Sequence, residues 1–444
     1  MDTPPPALPI AEEPPRPDAT KWWVVFMLWF VCFFNYADRQ AIFSVFPILQ
    51  GEFGFNKMQL GLIGSAFMWV YAFGAPFAGF VGDRLRRKDL ILGGCLFWSA
   101  VTALTGRCQR LGHFVAVRAL EGLGETFYFP ASMSLISDYH DRRTRSRALA
   151  LHQSSVYIGT IAGSWLGACF AVTLGWRLGF YVFGGAGILL ALVLFTFLRE
   201  PRRGAAEAKG AATAAPPLPL REVGAAIFRR PTAAVLMAVF LGANFVATVF
   251  LTWTPTFLVE KFHYRLTAAG LAGGAFIHLA SAVGAPVGGV LADRLARRHS
   301  GGRMLVQALG LLAGAGAIYV VGSTDDATTL LWAMTLFGLC KGLYDSNIFA
   351  ALYDVVEPRA RATAAGLMNT VGWGGGALGP LYIGWAAAHG SGPSEVENMS
   401  RAIASCGIIY LAGAALLATA IVACARRNPL ASRDEHHEQA DRLE

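Results

Sequence analysis

Charge is the scarcest property of this sequence. Of its 444 residues, 15% are charged and 55% are hydrophobic, which is too little charge to cover the surface of a soluble chain of this length. Apolar stretches of about 20 residues recur from one end of the chain to the other, and each is long enough to cross a hydrocarbon core about 30 Å thick. We therefore predict an all-α membrane protein with many spans.

The sequence also lacks the patterns of an enzyme or of a nucleic-acid-binding protein. Its seven cysteines are scattered through apolar segments without a shared spacing, so neither a disulfide framework nor a zinc site is indicated. No HExxH motif and no nucleophile constellation occurs, so we expect no enzymatic activity, no cofactor and no metal. The net charge of +8 comes from basic residues at the ends of apolar runs, where membrane topology explains them and no nucleic-acid partner is needed.

Apolar runs separated by charged or turn-rich breaks predict twelve spans in two sets. The first set lies near 22–49, 58–81, 90–107, 112–137, 147–173 and 177–198, and the second near 232–259, 267–291, 303–322, 328–354, 360–388 and 402–425. The predicted organisation is a disordered cytoplasmic tail without a signal-peptide layout (1–21), an N-terminal six-helix bundle (22–198), a cytoplasmic linker (199–231), a C-terminal six-helix bundle (232–425) and a second cytoplasmic tail (426–444).

Lysine and arginine residues predict the orientation of these spans. Basic clusters occur at 83–89, at 142–147, in the linker, at 294–303 and at 426–427, and the order of the spans places all of them on one side. The opposite loops carry fewer basic residues. By the positive-inside rule both termini are cytoplasmic, and the short basic loops fit the inner membrane of a bacterium.

A short motif occurs twice, at equivalent places in the two sets of spans. GFVGDRLRRK begins at Gly79 after the second span, and GVLADRLARR begins at Gly289 after the eighth. This repetition indicates two parallel six-helix repeats, which usually hold their substrate at the midplane between them. The doubled pattern Gly-x-x-x-Asp-Arg-x-x-Arg-Arg/Lys resembles the signature of the major facilitator superfamily, and the resemblance covers residues 22–425. The family often has Gly where this chain has Arg86 and Ala296.

That resemblance implies a gating role for the two motifs. Asp83 and Asp293 are expected to pair across the two halves when the cytoplasmic side is closed. Basic residues at helix ends are also what membrane insertion alone requires, and this alternative stays open. The residues assigned to the gating motif are Gly79, Asp83, Arg84, Arg87, Gly289, Asp293, Arg294 and Arg297.

Few ionisable side chains lie deep in the predicted spans. Each costs roughly 2.5–3.5 kcal/mol on insertion scales, so each is expected to face a cavity or a partner. They are Asp38 and Arg39 in span 1, Arg118, Glu121 and Glu125 in span 4, His278 in span 8, and Lys341 and Asp345 in span 10.

Helix geometry brings four of these charges to a similar depth. Arg118 and Glu125 are seven residues apart, so they share a helix face about 10 Å apart in height. Span 1 rises from the cytoplasm and span 4 descends towards it, which places Asp38 between them in height. If spans 1 and 4 are neighbours, Asp38, Arg39, Arg118 and Glu125 form one midplane cluster. Such a cluster is either an ion-paired link between helices or a binding switch, and the poor energetics of buried ion pairs favour the switch.

Two sequences in these spans narrow the resemblance. NYADRQ in span 1 and RALEGLGETFYFP in span 4 resemble the anion:cation symporters, which include sugar-acid, phthalate and vesicular glutamate carriers, and also the spinster-like lysolipid carriers. The resemblance to the symporters implies that Asp38 and Glu125 take up protons, that Arg39 holds the substrate anion, and that Arg118 pairs with the acids. Glu121 has no assigned counterpart, and it is either a third titrating group or a hydrogen-bonded bystander.

The second half of the chain offers weaker signals. Lys341 and Asp345 lie at i and i+4 and can simply pair with each other. His278 is more typical of a hydrogen-bonded packing residue than of a proton carrier. Polar residues recur every fourth position in spans 7 and 11, and these stripes either meet substrate hydroxyls or bond across helices. The residues assigned to substrate binding are Tyr36, Arg39, Gln40, Arg118, Asn244, Thr248, Tyr344, Asn369 and Trp373.

We therefore expect a proton-coupled secondary transporter, a symporter of a small organic anion such as a sugar acid, that works by alternating access. Its expected partners are that anion, protons and the lipid bilayer, and we expect a monomer. The alternative is a spinster-like, proton-linked carrier of lysophospholipids or sphingoid lipids, which needs an apolar, laterally open cavity. The polar stripes favour a hydrophilic substrate. A sensor is disfavoured because the tail after Arg427 is short.

Overall fold

The structure, a computed structural model, describes residues 18–141, 143–201, 231–299, 301–357 and 361–427. These residues contain no strand, in agreement with the predicted all-α class. The helices of the N-terminal segment are α1 (Asp18–Ser44), α2 (Phe46–Phe53), α3 (Lys57–Arg84), α4 (Arg87–Thr105), α5 (Leu111–Thr126), α6 (Tyr128–Tyr139), α7 (Arg145–Thr173) and α8 (Trp176–Phe197). Those of the C-terminal segment are α9 (Pro231–Phe262), α10 (Leu266–Ala296), α11 (Gly302–Ser323), α12 (Ala327–Asp345), α13 (Ile348–Val355), α14 (Arg361–His389) and α15 (Glu395–Arg427).

Each predicted span coincides with one helix or with two consecutive helices. Most helix ends differ from the predicted ends by a few residues, and the largest difference is α15, which begins at Glu395 and not near 402. Within the described ranges, eight helices are long and apolar enough to cross a membrane by length and composition. The count of twelve spans, the division into two bundles and the cytoplasmic termini stay predictions. Most of the linker and of both tails lies outside the described residues.

Three of the predicted spans are divided into two helices each. Pro47 lies in the first turn of α2 and Pro130 in the first turn of α6, where the missing N–H and the fixed φ of proline are tolerated. No proline lies at the break between α12 and α13. There Asn347 donates from Nδ2 to the carbonyl of Leu343 at 2.9 Å and to that of Gly288 at 3.2 Å, so its side chain uses backbone acceptors at the break.

Glycines allow the helices to approach each other closely. A Cβ atom at Gly163 would lie 2.3 Å from the carbonyl oxygen of Ala37, so α7 contacts the backbone of α1 directly. A Cβ atom at Gly61 would lie 2.5 Å from the carbonyl oxygen of Pro380, which brings α3 equally close to α14. The contacts of α3 with α14 and of α7 with α10 join the two segments. Small residues at such contacts are typical of helices that pack in a membrane.

Polar contacts that cross between the two segments lie towards the end of the bundle where α3 begins and α9 ends, which we call the closed end. The ammonium group of Lys57 in α3 forms an ion pair with Glu260 in α9. Farther from that end, Gln40 in α1 donates from Nε2 to the carbonyl of Leu251 in α9 at 2.8 Å. The Lys57–Glu260 pair joins the N-terminal and C-terminal segments at the closed end, and the Gln40 bond joins them deeper in the bundle.

At the opposite end, two ion-pair groups each lie within one segment. Arg87 pairs with Asp138 and, at 2.8 Å, with Glu200. Asp293 of the second gating motif pairs with Arg303 at 2.8 Å, within the C-terminal segment. The side chain of Asp83 lies outside the described residues, so the expected pairing of Asp83 with Asp293 stays a prediction, as does the gating role of Gly79, Arg84, Gly289, Arg294 and Arg297.

Candidate substrate and proton site

Arg39 lies in α1, five residues before the helix ends at Ser44, and its side chain is 4% exposed. Its Nε donates to Oε2 of Glu125 in α5 at 3.0 Å, and its Nη2 bonds to the same oxygen. The Nη2 atom also donates to Oδ1 of Asn35 at 3.3 Å, and the ring of Tyr36 lies 4.5 Å from the guanidinium carbon. The structure thus brings together the arginine and the glutamate that the sequence places at similar depth.

Arg118 makes a different contact from the one that the resemblance implies. It pairs with Glu121, three residues along the same helix, and not with Asp38 or Glu125. Glu121 also accepts a hydrogen bond from Oγ1 of Thr102 in α4 at 3.3 Å. Two guanidinium nitrogens of Arg118, Nε and Nη2, are buried without a hydrogen-bond partner in the described part of the chain. Glu121 is therefore a member of the ion-pair cluster, a role that its sequence position alone did not reveal.

Asp38 is completely buried, and neither carboxylate oxygen has a hydrogen-bond partner among the described residues. It lies near the charges of Glu121, Glu125 and Arg118 and near the hydroxyl of Thr102, which donates its hydrogen bond to Glu121. The cluster as a whole contains three carboxyl groups and only two guanidinium groups. If every group were ionised, the cluster would carry one uncompensated negative charge in a place where water cannot screen it.

Aromatic rings line the two guanidinium groups. The ring of Phe67 in α3 lies 4.4 Å from the guanidinium carbon of Arg39 and 5.0 Å from that of Arg118. Tyr71 in α3 and Trp373 in α14 each lie 5.5 Å from Arg39. Such contacts attract a cation through the ring quadrupole without neutralising its charge. Phe67 and Tyr71 were not predicted, although their i, i+4 spacing places both on one face of span 2.

The polar stripe on α9 makes bonds within the protein. Asn244 donates from Nδ2 to the carbonyl of Phe240 in its own helix at 2.9 Å. Thr248 donates from Oγ1 to the carbonyl of Gly376 in α14 at 2.6 Å, which links the two helices. These bonds correspond to the alternative that the stripe serves helix packing.

The other residues assigned to substrate binding occupy unlike environments. Trp373 reaches the ion-pair cluster, and Asn369, one turn earlier on α14, is half-buried. Gln40 bonds across the two segments. Tyr344 is completely buried in the apolar core, and its hydroxyl has no hydrogen-bond partner in the described residues. The structure thus brings Trp373 to the cluster and surrounds Tyr344 with core residues.

Lys341 and Asp345 form an ion pair with each other, as their spacing predicts. The side chain of Lys341 is 17% exposed. His278 in α10 is half-buried, and its Nδ1 atom is buried without a hydrogen-bond partner in the part of the chain that the structure describes. His278 was predicted to be a hydrogen-bonded packing residue, and its Nδ1 atom forms no such bond with the described residues.

Two helical segments that enclose buried ion pairs within membrane spans are an arrangement typical of solute transporters. The chain is a member of the Major Facilitator Superfamily, whose family model matches residues 28–380. It is therefore a multi-pass integral membrane transporter and not an enzyme, as the sequence predicts. The doubled motif had already pointed to this family.

Individual transport proteins are similar to this chain over most of its length. Sodium-dependent phosphate transport protein 1, chloroplastic, of Arabidopsis thaliana is 29% identical over 389 residues, which cover 84% of this chain and 75% of the relative. The probable galactarate/D-glucarate transporter of Bacillus subtilis (strain 168) is 27% identical over 397 residues, which cover 83% of this chain and 86% of the relative. Anion transporters thus stand among its relatives.

A solved structure shares the fold. The crystal structure of a bacterial homolog to the human lysosomal transporter spinster, in an inward-facing and unoccupied conformation, superposes with a TM-score of 0.80 and 21% sequence identity. The match covers 92% of this chain and 98% of that one. The described residues therefore share the fold of that structure over nearly its whole length.

Proposed function

We propose that this protein is a proton-coupled symporter of a small organic anion such as a sugar acid, and that it works by alternating access. In this proposal twelve spans form two six-helix bundles with both termini in the cytoplasm, and the protein acts as a monomer in a bacterial inner membrane. Asp38 and Glu125 carry the coupled protons, and Arg39 holds the substrate anion. The relatives that transport phosphate and sugar acids support an anionic substrate.

One observation carries the proposal: the counter-ion of the buried Arg39 is a carboxylate that can be protonated. When Glu125 takes up a proton, its attraction for Arg39 falls and the guanidinium becomes available to a substrate carboxylate. When Glu125 releases the proton, it competes with the substrate for the same guanidinium. The charge of Arg39 favours the ionised form of Glu125, and desolvation opposes it. A substrate anion that binds Arg39 weakens the first effect, so substrate binding and proton binding at this pair are linked.

Asp38 supplies the second proton site. A bare carboxylate buried without a hydrogen bond costs several kcal/mol, and Asp38 has neither a hydrogen-bond partner in the described residues nor a cation of its own. A proton on Asp38 removes the excess negative charge of the three-carboxylate cluster. We therefore infer that Asp38 is protonated in this conformation, while the pairs Arg39–Glu125 and Arg118–Glu121 stay ionised.

The closed end supports an inward-facing conformation. Contacts between the segments lie towards the end that carries Lys57 and Glu260, and the positive-inside rule predicts that this end is extracellular. The solved homolog of spinster, with the same fold, is itself inward-facing. In this proposal the transporter reaches the opposite conformation when the closed end separates and the opposite end closes.

Uptake of labelled substrate into proteoliposomes tests the site. We expect Arg39→Ala to abolish uptake of galactarate, because the anion loses its counter-charge. We expect Glu125→Gln to retain exchange of substrate and to lose accumulation driven by a proton gradient. The control is Arg177→Ala, because that arginine is 40% exposed and its partner Glu52 is 36% exposed. Full proton-driven uptake by Glu125→Gln, or uptake driven only by a sodium gradient, would overturn the coupling.

A second candidate function is the transport of a lysolipid. A groove between α1 and α8, with a volume of about 670 Å³, favours it. The groove is lined mainly by apolar residues, among them Trp23, Phe26 and Phe30, with Arg199 among the lining residues. Thermal stabilisation of the purified protein by sugar acids, dicarboxylates and lysolipids distinguishes the two functions, because stabilisation by lysolipids alone would replace the anion as the substrate class.

A further inference from the structure

A half-buried cation within a predicted span lies outside the cluster around Arg39. Lys341 in α12 is paired with Asp345 one turn along the same helix. A local i, i+4 pair of this kind does not fix the contact of one helix with another. The Lys341–Asp345 pair resembles the Arg39–Glu125 pair in one respect. In both, a cation within a span is neutralised by a carboxylate that a ligand carboxylate can replace.

The surroundings of Lys341 are polar and come from other helices. Cβ atoms at Gly338 and Gly342 would lie 2.4 Å and 2.6 Å from the carbonyl oxygens of Ile277 and Ser281, so the part of α12 that carries Lys341 packs against the part of α10 that carries His278. The ring centroid of Tyr157 in α7 lies 6.0 Å from that of His278, and the charge of Lys341 acts on both residues. The Nδ1 atom of His278 is buried and has no hydrogen-bond partner among the described residues. A buried polar atom without a partner is rare in native proteins and needs an explanation. A ligand hydroxyl or carboxylate at this place would satisfy it.

Helix α7 relates the position of Lys341 to that of Arg39. Tyr157 lies two residues before Gly159, and a Cβ atom at Gly159 would lie 3.1 Å from Cβ of Tyr36. The ring of Tyr36 in turn contacts the guanidinium of Arg39. Residues 157 and 159 differ by only about 3 Å in height along α7, so the turn of α7 nearest Lys341 lies at the height of Tyr36 and Arg39.

The two cations also meet opposite segments of the chain. Arg39 belongs to the N-terminal segment and is contacted by Trp373 of the C-terminal segment. Lys341 belongs to the C-terminal segment, and its charge acts on Tyr157 of the N-terminal segment. Both cations therefore face the contact between the two segments, where carriers of this architecture hold their substrate.

We propose that Lys341, with Tyr157 and His278, forms a second anion subsite and that the substrate is a hydroxylated dicarboxylate. One carboxylate of the substrate binds Arg39 and the other binds Lys341, with Tyr157 and His278 as hydrogen-bonding partners. Two cations then bind two negative charges. The ligand replaces Asp345 as the partner of Lys341, as it replaces Glu125 as the partner of Arg39. This inference rests on the proposed anion transport, because it assigns the substrate class and the second end of the same site.

A matched pair of substrates tests the subsite. Galactarate and galactonate have the same carbon chain, but galactonate carries a primary alcohol where galactarate carries the second carboxylate. Uptake of both is measured in proteoliposomes for the full chain, for Lys341→Gln and for the control Lys261→Gln, whose lysine pairs with Asp325 at an exposed helix end. We expect Lys341→Gln to lower galactarate uptake by roughly tenfold or more, as removal of a charge-assisted contact does, and galactonate uptake by less than about twofold.

The outcomes separate this inference from the proposed function. Equal effects of Lys341→Gln on the two substrates, or no effect on either, overturn the subsite. A wild-type protein that takes up galactonate but not galactarate also overturns it and leaves the anion symporter intact. A wild-type protein that takes up neither overturns both. If Lys341→Gln does not fold, Lys341→Arg and Tyr157→Phe replace it, and we expect Lys341→Arg to keep galactarate uptake while Tyr157→Phe lowers it selectively.

Discussion

The ion pair between Lys57 and Glu260 is expected to hold the closed end together, and Glu260→Gln tests this directly. The side chain of Lys57 is 1% exposed and that of Glu260 is 18% exposed. The ammonium group also donates to Oε1 of Gln50 at 2.7 Å. In Glu260→Gln the shape of the side chain is kept, but the buried ammonium loses its only ionised partner in the described residues. Opening of the closed end returns that ammonium group to water and removes the free-energy cost of burying it without an ionised partner.

The size of the effect follows from the burial of the pair. Removal of one partner from a fully buried ion pair costs about 3–5 kcal/mol. Glu260 is partly exposed and Gln50 remains as a neutral acceptor, so we expect about 2 kcal/mol, towards the lower end of the range for removing a partner of a hydrogen-bonded charge. Since every 1.4 kcal/mol changes an equilibrium constant tenfold, the open population should rise by about 30-fold.

Labelling of a buried cysteine measures that population. Ser65 is completely buried, and its Oγ donates to the carbonyl of Ala377 in the other segment at 2.5 Å. In a background without the native cysteines, Ser65→Cys should react with a membrane-impermeant maleimide only when the closed end opens. We expect the labelling rate to rise about 30-fold in Glu260→Gln, in proportion to the open population. The control is Arg177→Gln, which breaks the 2.6 Å pair with Glu52 inside one segment. An unchanged rate in Glu260→Gln would refute the reasoning, as would an equal rise in the control.

Two further substitutions test the packing and the charges of the site. Glu121→Gln leaves Arg118 buried without an ionised partner of its own, so we expect the free energy of unfolding to fall by about 3 kcal/mol. The loss is measured as a lower melting temperature. The double variant Glu121→Gln/Arg118→Leu should recover part of it, because it also removes the unpaired charge. A melting temperature equal to that of the wild type would show that Glu121 is a bystander. Gly163→Ala places a methyl group 2.3 Å from the carbonyl oxygen of Ala37, and we expect a loss of folded, monodisperse protein on size-exclusion chromatography. Gly93→Ala, where nothing lies within 4 Å, is its control and should behave as the wild type, so equal yields of the two variants would contradict the close contact.

The positions of the helices were predictable because the bilayer imposes a simple length requirement on apolar segments. All backbone bonds must be satisfied inside a span, so a run of about 20 apolar residues in a membrane becomes a helix. Breaks at Pro47 and Pro130 carry a sequence signal, since proline is tolerated in a first helical turn. The break at Asn347 carries none, because it depends on a side chain that bonds to carbonyls of its own helix and of α10.

The composition of the site was partly predictable, and its pairing was not. Sequence spacing fixes the height of a side chain along a helix, so Arg39 and Glu125 were expected to meet, and the structure pairs them. Height does not decide between two acids on the same helix face. Arg118 had Glu121 within reach at i+3 on its own helix, and the structure pairs these two residues. The hydroxyl of Thr102 in α4 then bonds to Glu121, a contact between helices that no spacing within one helix reveals.

The arrangement of Arg39 and Lys341 indicates how the proposed charge switch would act on the whole molecule. In the proposed mechanism, each cation exchanges a carboxylate of its own segment for a carboxylate of the substrate. Arg39 lies 5.5 Å from the ring of Trp373 of the opposite segment, and the charge of Lys341 acts on Tyr157 of the opposite segment. A ligand that changes an equilibrium between conformations must interact differently with them. A substrate that bridges both cations interacts differently with the two conformations, because relative movement of the segments changes the separation of Arg39 and Lys341. A monoanion bound at Arg39 alone spans only one cation, and its effect on the equilibrium then rests on Trp373 and on the proton at Glu125.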